Sequence, residues 1–181
     1  MLRFYRGGMT STAVTHPVVD EFKDAFRGHP AGVAIITAAG AEGPVGLTAS
    51  SVSSVSAMPP ILAFSLASTL GSAGVIAGAD TIVVHLLGAE NAELASLFAA
   101  RGADRFGPEL DWSTLPGGEP LLGGVPRALL CRILSRTQAG SSTLIAASVL
   151  EIHTGPAAAP LVYHDRTYHH LGSHSALRRP Q

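Results

Sequence analysis

The chain is short of cysteine, lysine, charge and aromatic rings, and each scarcity excludes something. Its 181 residues hold one cysteine, Cys131, so no intrachain disulfide is possible and a reducing cytoplasm fits. Cys131 lies in the apolar run Ala128–Leu134 and reads as a small buried hydrophobe. Lys23 is the only lysine, and the arginines are scattered rather than gathered into a phosphate-facing stripe, which argues against nucleic-acid binding. Charged residues reach only 14% against 46% hydrophobic, at a mean hydropathy of +0.31. That is more apolar surface than a solvated monomer needs, so we expect both a ligand cleft and a subunit interface. No apolar run approaches the roughly 18 residues of a membrane-spanning helix. The N-terminal residues lack the apolar segment of a signal peptide, and Met9 is an alternative to Met1 as the first residue.

What is present is a succession of β-rich runs. Val18–Arg27 places Val18, Phe22, Ala25 and Phe26 on one face of a helix that Gly28 and Pro30 close. Strands are expected over Gly32–Ala38, Pro44–Ser56, Ile61–Ala67, Thr81–Leu87, Arg127–Arg136, Ser142–His153 and Leu161–His170. A Gly/Ala segment before Thr81 can form a helical turn or two, and Glu90–Ala100 is an amphipathic helix. Residues 102–120 read as a loop. Strands that do not alternate with helices argue for a closed or nearly closed barrel, mainly β, with one or two flanking or inserted helices. One domain over 16–172 is expected between flexible tails at 1–15 and 173–181.

Nucleotide-binding signatures such as G-x-x-x-x-G-K-[ST] and G-x-G-x-x-G are absent. The most informative segment is Gly46–Ser56, GLTASSVSSVS, with five serines and one threonine. Short side chains on a strand let a flat ring approach the main chain, whose N–H groups and hydroxyls can meet the ring's polar edge. By composition alone, a serine-rich edge with no ligand is the commoner case. The eight histidines show no compact ligand spacing, and His169 and His170, being adjacent, face opposite sides of a strand, so no metal site is expected.

The order of residues adds to this. GLTASSVSSVS followed by Met58-Pro59-Pro60 resembles the G-L-T-x-S-S-F-x-S-V-S-x-x-P-P motif of the flavin reductase-like family, whose fold is an FMN-binding split β-barrel of Greek-key type. FRGHPAGVA from Phe26, FAARGADRF from Phe98, Trp112 and LVYHDRTYHHL from Leu161 are similar to further segments of that family, the last to its L-x-Y-H-x-G-x-Y-H pattern. The resemblance runs from about 18 to 172.

The resemblance implies that Gly46, Leu47, Thr48, Ala49, Ser50 and Ser51 border an isoalloxazine and that Ser65 and Leu66 flank the ribityl chain. Ser68, Thr69 and Ser72 would receive the phosphate, helped by Arg101 or Arg105, with Phe106 beside the cofactor. His29, Ser142, Tyr163, His164, Tyr168 and His169 would form the dinucleotide or substrate side. The implied activity is NAD(P)H-dependent reduction of FMN or FAD, with NADH or NADPH as co-substrate and reduced flavin supplied to a partner monooxygenase. The cofactor carries the hydride transfer, so no catalytic acid or base is named. A homodimer is implied as well. Three departures along the expected cofactor cleft matter: Gly140-Ser141-Ser142 in place of G-D-H, Val84-His85-Leu86 in place of V-N-V, and Ala31 in place of a hydroxyl residue. These departures keep two alternatives open. One is a flavoenzyme acting directly on an organic substrate, and the other a flavin-binding protein without the dinucleotide site.

Overall fold

The computed structural model describes residues 17–178, so the expected tail at 1–15 and His16 lie outside the described residues, as do 179–181. Of the remaining C-terminal segment, Ser173–Ser175 form a single 3-10 turn.

Helix α1 spans Pro17–Arg27. Strands β1 (Ala31–Gly32) and β2 (Ala34–Gly40) follow, then β3 (Gly43–Ala49), β4 (Ser53–Ala57) and β5 (Pro60–Leu66). Helix α2 (Ser72–Gly78) leads into β6 (Thr81–Leu86), and a 3-10 turn at Ala89–Asn91 opens α3 (Ala92–Ala99). The hairpin β7 (Trp112–Thr114) and β8 (Pro120–Leu122) precedes the long pair β9 (Arg127–Ala139) and β10 (Ser142–Thr154). The chain closes on β11 (Leu161–His164) and β12 (Thr167–His170).

Three expectations need correcting. The serine-rich run is two strands, because Ser50–Val52 leave the ladder between β3 and β4. The run over Leu161–His170 is a hairpin, since Asp165 and Arg166 take left-handed φ values of 45° and 62° and turn the chain back. The loop at 102–120 contains β7 and the start of β8, which pairs Trp112 with Leu122. Each miss has one cause: a short turn without glycine, or a strand of three residues, leaves almost no periodic signal.

The main sheet runs β3-β2-β6-β9-β10-β5-β4, with antiparallel neighbours throughout. Its edge strands, β3 and β4, are consecutive in sequence. Laid flat, seven strands would hold those edges roughly 29 Å apart at the usual strand spacing. The link Ser50–Val52 lets the chain reach at most roughly 14 Å. The sheet must therefore curl until its edges nearly meet, and register shifts in β10 at Ala146/Ala147 and Val149/Glu151 help it bend. The result is a split barrel.

Ile36, Phe64, Ile82, Val84, Cys131 and Ile145, drawn from five strands, fill its lumen, and Ile76 of α2 packs on them. A second cluster, with Val33, Ile35, Val83, Phe98 and Leu122, lies between the barrel wall, α3 and the β7–β8 hairpin. Strand β2 alternates between the two clusters and is buried on both faces, which explains its continuous apolar run. Each large side chain so buried contributes about 2 kcal/mol through the water it leaves. Gly46 lets α3 close in: a Cβ there would stand 2.5 Å from the Phe98 ring.

A smaller sheet, β1-β11-β12, joins the barrel at Val33, whose N–H donates to Leu161 O and whose carbonyl accepts from Leu87 N–H. The Asp165 N–H donates to Arg27 O at 3.1 Å, which ties the β11–β12 turn to the end of α1.

Candidate active site

Where the edges of the barrel approach, a cleft of about 810 Å³ opens beside Ser50, Ser51, Val52 and Ser53. Ser65 of β5, Ala31 and Gly32 of β1, His29, and Tyr163, His164 and Arg166 of the hairpin complete it, with Phe26 and Arg27 at the end of α1. Its volume lies within the range of cofactor sites. Glycine, alanine and four serines leave the main chain accessible. Phe26, Pro30 and Tyr163 supply apolar walls, and no carboxylate lines it.

Local hydrogen bonding explains why this place stays open. Beyond Ser53, β4 no longer covers β5, and the Ser51 hydroxyl takes over. Its Oγ accepts from Ser65 N–H at 3.0 Å and donates to Ser65 O at 3.2 Å. The link is thus pinned to β5 by a side chain, and the N–H groups of Ser51 and Val52 make no backbone hydrogen bond among the described residues. Ser51 is exposed and Val52 half-buried, and N–H groups left free in this way can meet an electron-rich ring edge.

A second hollow of about 190 Å³ adjoins the first at Ser50 and Tyr163 and adds Val33, Thr48, Ala99 and Tyr168. Tyr163 and Tyr168 are cross-strand partners with ring centroids 5.4 Å apart. The Thr48 hydroxyl donates to Ala95 O at 2.6 Å, so it anchors α3 to β3 and its oxygen is only partly available.

The structure thus brings Thr48, Ser50, Ser51, Ser65, His29, Tyr163, His164 and Tyr168 around two adjoining hollows. Other expected residues fall elsewhere. Ala49 and Leu66 point into the lumen core, and Leu47 packs against it. Gly46, Ser72 and Phe106 line a separate hollow of about 280 Å³ with Arg105. Ser68 and Thr69 are exposed on the loop before α2, where the Ser68 hydroxyl accepts from Leu70 N–H. Phe106 stacks edge-on between Phe98 and Trp112. The Arg105 guanidinium donates to Phe98 O and Ala100 O, closing the end of α3, while Arg101 is exposed. Ser142 sits at the tip of the β9–β10 hairpin opposite Ala139 and lines none of these hollows. His169 is exposed on β12 with its ring 5.8 Å from His164. Among the described residues no group of three or more His, Cys, Asp or Glu is placed to hold a metal.

His85, a departure we placed along the cleft, is instead fully buried behind it. Its Nδ1–H donates to Ile35 O at 3.1 Å and its Nε2 accepts from Leu122 N–H at 3.0 Å, which fixes the neutral tautomer. Burial drives its pKa down to about 4 and His153 adds to that, while the Ile35 hydrogen bond opposes it. Burial also pushes the Cys131 thiol up to about 12, so it is inert at neutral pH. Sequence reasoning missed Arg27, Gly32, Val52, Ser53 and Arg166 as cleft residues. Ser53 shares the short-side-chain signal of Ser50 and Ser51, Arg166 stands where the L-x-Y-H-x-G-x-Y-H pattern has glycine, and Arg27 carried no signal.

Known proteins share this arrangement of sequence and fold. The flavin reductase like domain matches residues 26–172. A protein named NADH:FMN oxidoreductase from Rhodococcus qingshengii is 39% identical over 153 residues, spanning 82% of this chain and 80% of its own length. The crystal structure of a flavin reductase domain protein from Arthrobacter sp. FB24 superposes with a TM-score of 0.80 at 38% identity, covering 85% of this chain and 96% of that one. The styrene monooxygenase flavin reductase from Pseudomonas putida S12 superposes with a TM-score of 0.75 at 27% identity, covering 84% and 97%.

Proposed function

This chain belongs to the flavin reductase-like family, and from that premise we propose that it is an NADH-dependent flavin oxidoreductase that reduces FMN and supplies it to a separate monooxygenase. The observation that carries the reading is the cleft at the split of the barrel, where four serines, Ala31 and Gly32 expose main chain beside apolar walls. These residues fit a flavin: a planar ring needs a flat, shallow-walled floor, and its carbonyl and nitrogen edge needs donors. The bound flavin supplies the hydride chemistry.

The protein's part is to bind and orient. Ser51 and Val52 offer N–H groups to the ring edge, where they favour the negative charge that reduction brings. Ser50 and Tyr163, common to both hollows, stand where two stacked rings would meet, and Tyr168 and His164 flank that place. Ser68 and Thr69 before α2 and Ser72 at its first position are assigned to the flavin phosphate, with FAD as the other flavin. Of the three departures along the expected cleft only Ala31 lines it, and Arg166, where the family's L-x-Y-H-x-G-x-Y-H pattern has glycine, lines it too.

Two copies are assigned to the working unit. Val18, Phe22 and Phe26 on α1 are 62%, 60% and 61% exposed, and Leu144, Leu150 and Ile152 of β10 are uncovered too, far more apolar surface than one copy can hide. The cytoplasm is the assigned compartment, consistent with a lone buried thiol. Among the described residues no helix is long and apolar enough to cross a membrane.

The test is direct. Titration with FMN and FAD should quench flavin fluorescence and raise the melting temperature, and NADH oxidation under air should require flavin. Absence of both quenching and thermal shift at high micromolar flavin overturns the reading. Light scattering decides the number of copies.

A further inference from the structure

Arg166 occupies an unusual place. The two-residue loop between His164 and Thr167 has φ of 45° at Asp165 and 62° at Arg166, the left-handed pair of a tight hairpin. Glycine is the residue that such a second position normally takes, because a Cβ is disfavoured there. A long cationic side chain on that backbone gains nothing for the turn itself. Nor does it gain an ion pair, since Arg166 makes neither a salt bridge nor a side-chain hydrogen bond among the described residues. Instead it lines the cleft.

Its neighbourhood is cationic. The Asp165 N–H to Arg27 O hydrogen bond holds the turn against the end of α1, so Arg27, another lining residue, stands beside it. Lys23, His29 and His164 also line the cleft. The carboxylates nearby do not line it: Asp24 faces Arg27 at 3.3 Å and Asp20 faces Lys23 at 3.6 Å along the exposed side of α1, and Asp165 lies in the turn. The loop assigned to the flavin phosphate, Ser68–Ser72, contributes nothing to this wall.

We propose that Arg166, backed by Arg27, is a specificity-determining residue that binds the diphosphate of a dinucleotide in the cleft, while the single phosphate of FMN is held elsewhere. This rests on the cleft being the flavin and co-substrate site. A guanidinium presents paired N–H donors that match phosphate oxygens, and a diphosphate spans the reach of two neighbouring arginines. The diphosphate can come from NADH or from FAD, and the experiment separates them.

The test uses flavin-free protein and calorimetry with ADP-ribose, NAD⁺, FAD and FMN, comparing the unsubstituted chain with Arg166→Gly, Arg166→Lys and Arg27→Gln. Arg166→Gly turns the loop into Asp-Gly, so its melting temperature should stay level or rise. ADP-ribose binding should weaken about tenfold in Arg166→Gly, recover in part in Arg166→Lys, and weaken less in Arg27→Gln. Its dependence on salt should become shallower in Arg166→Gly, and FMN affinity should stay within about twofold. Loss confined to NAD⁺ and ADP-ribose assigns the site to the co-substrate, and loss extending to FAD shows that it takes either diphosphate. Unchanged ADP-ribose binding, no ADP-ribose binding by the unsubstituted chain, or an equal loss of FMN affinity overturns the proposal. Continued FMN quenching and flavin-dependent NADH oxidation in the same samples leave the reductase reading standing.

Discussion

Two polar regions of this barrel wall look alike in sequence and behave as opposites. At the split, Ser50, Ser51 and Ser53 lie on an open cleft, where the Ser51 and Val52 N–H groups make no backbone hydrogen bond among the described residues. Behind the wall, Thr37, His85 and Thr81 are matched to particular partners as the β7–β8 hairpin docks: Thr37 to Pro120 O, His85 to Ile35 O and Leu122 N–H, Thr81 to Glu119. The first region is polar where we propose that the flavin binds. The second is polar because two layers must be fastened, and there only Glu119 Oε2 is left without a partner among the groups named. A polar residue on a strand means little until its facing side is known.

This contrast can be broken at either end. The largest effect on binding is expected from Ser50→Trp, which fills the junction of the two hollows: flavin affinity should fall at least about 100-fold, equivalent to about 2.7 kcal/mol, while the fold persists. Fluorescence titration measures it, and retained affinity would show that the ring lies elsewhere. Next comes acid stability. His85 ordinarily titrates near 6.5 and is depressed to about 4 by burial, so the unfolded chain binds the proton more readily between those values. Its contribution is therefore complete above about pH 6.5 and lost as the pH falls toward 4, by about 3 kcal/mol at most. Urea unfolding across that range should show the slope.

His85→Leu should flatten that slope and cost about 2–4 kcal/mol at pH 7, because Ile35 O and Leu122 N–H lose their buried partner. Flavin affinity should not change, and a matching loss of binding would place His85 in the site after all. The smallest effect is expected from Ser51→Ala. Removing the clamp on Ser65 should cost about 0.5–1 kcal/mol and loosen the link, detectable as faster hydrogen exchange at Ser65 N–H.

Much of the barrel could be read in advance. The strand segments at Ile61–Ala67, Thr81–Leu87 and Ser142–His153 correspond to β5, β6 and β10 within a residue or two, since apolar periodicity records burial directly. Of the residues that line the cleft, Ser50, Ser51 and Ser65 were marked by family order and small side chains, and Tyr163 and His164 by family order alone. The side chains of Ala49 and Leu66 lie in the core for a simple reason: on a strand, neighbours of cleft residues face the other side. His85 was misplaced because its partners lie on β2 and β8, distant in sequence. Arg166 was overlooked because its meaning is conformational, and φ is not written in a side chain.

By itself, then, the sequence determined a mostly β barrel and the stretch of short side chains where a flat ligand could approach, because composition and period follow from burial alone. Only the tertiary structure decided which of those residues look outward. That choice depends on where two edge strands come together and where a turn meets a helix, contacts between segments that no local pattern records.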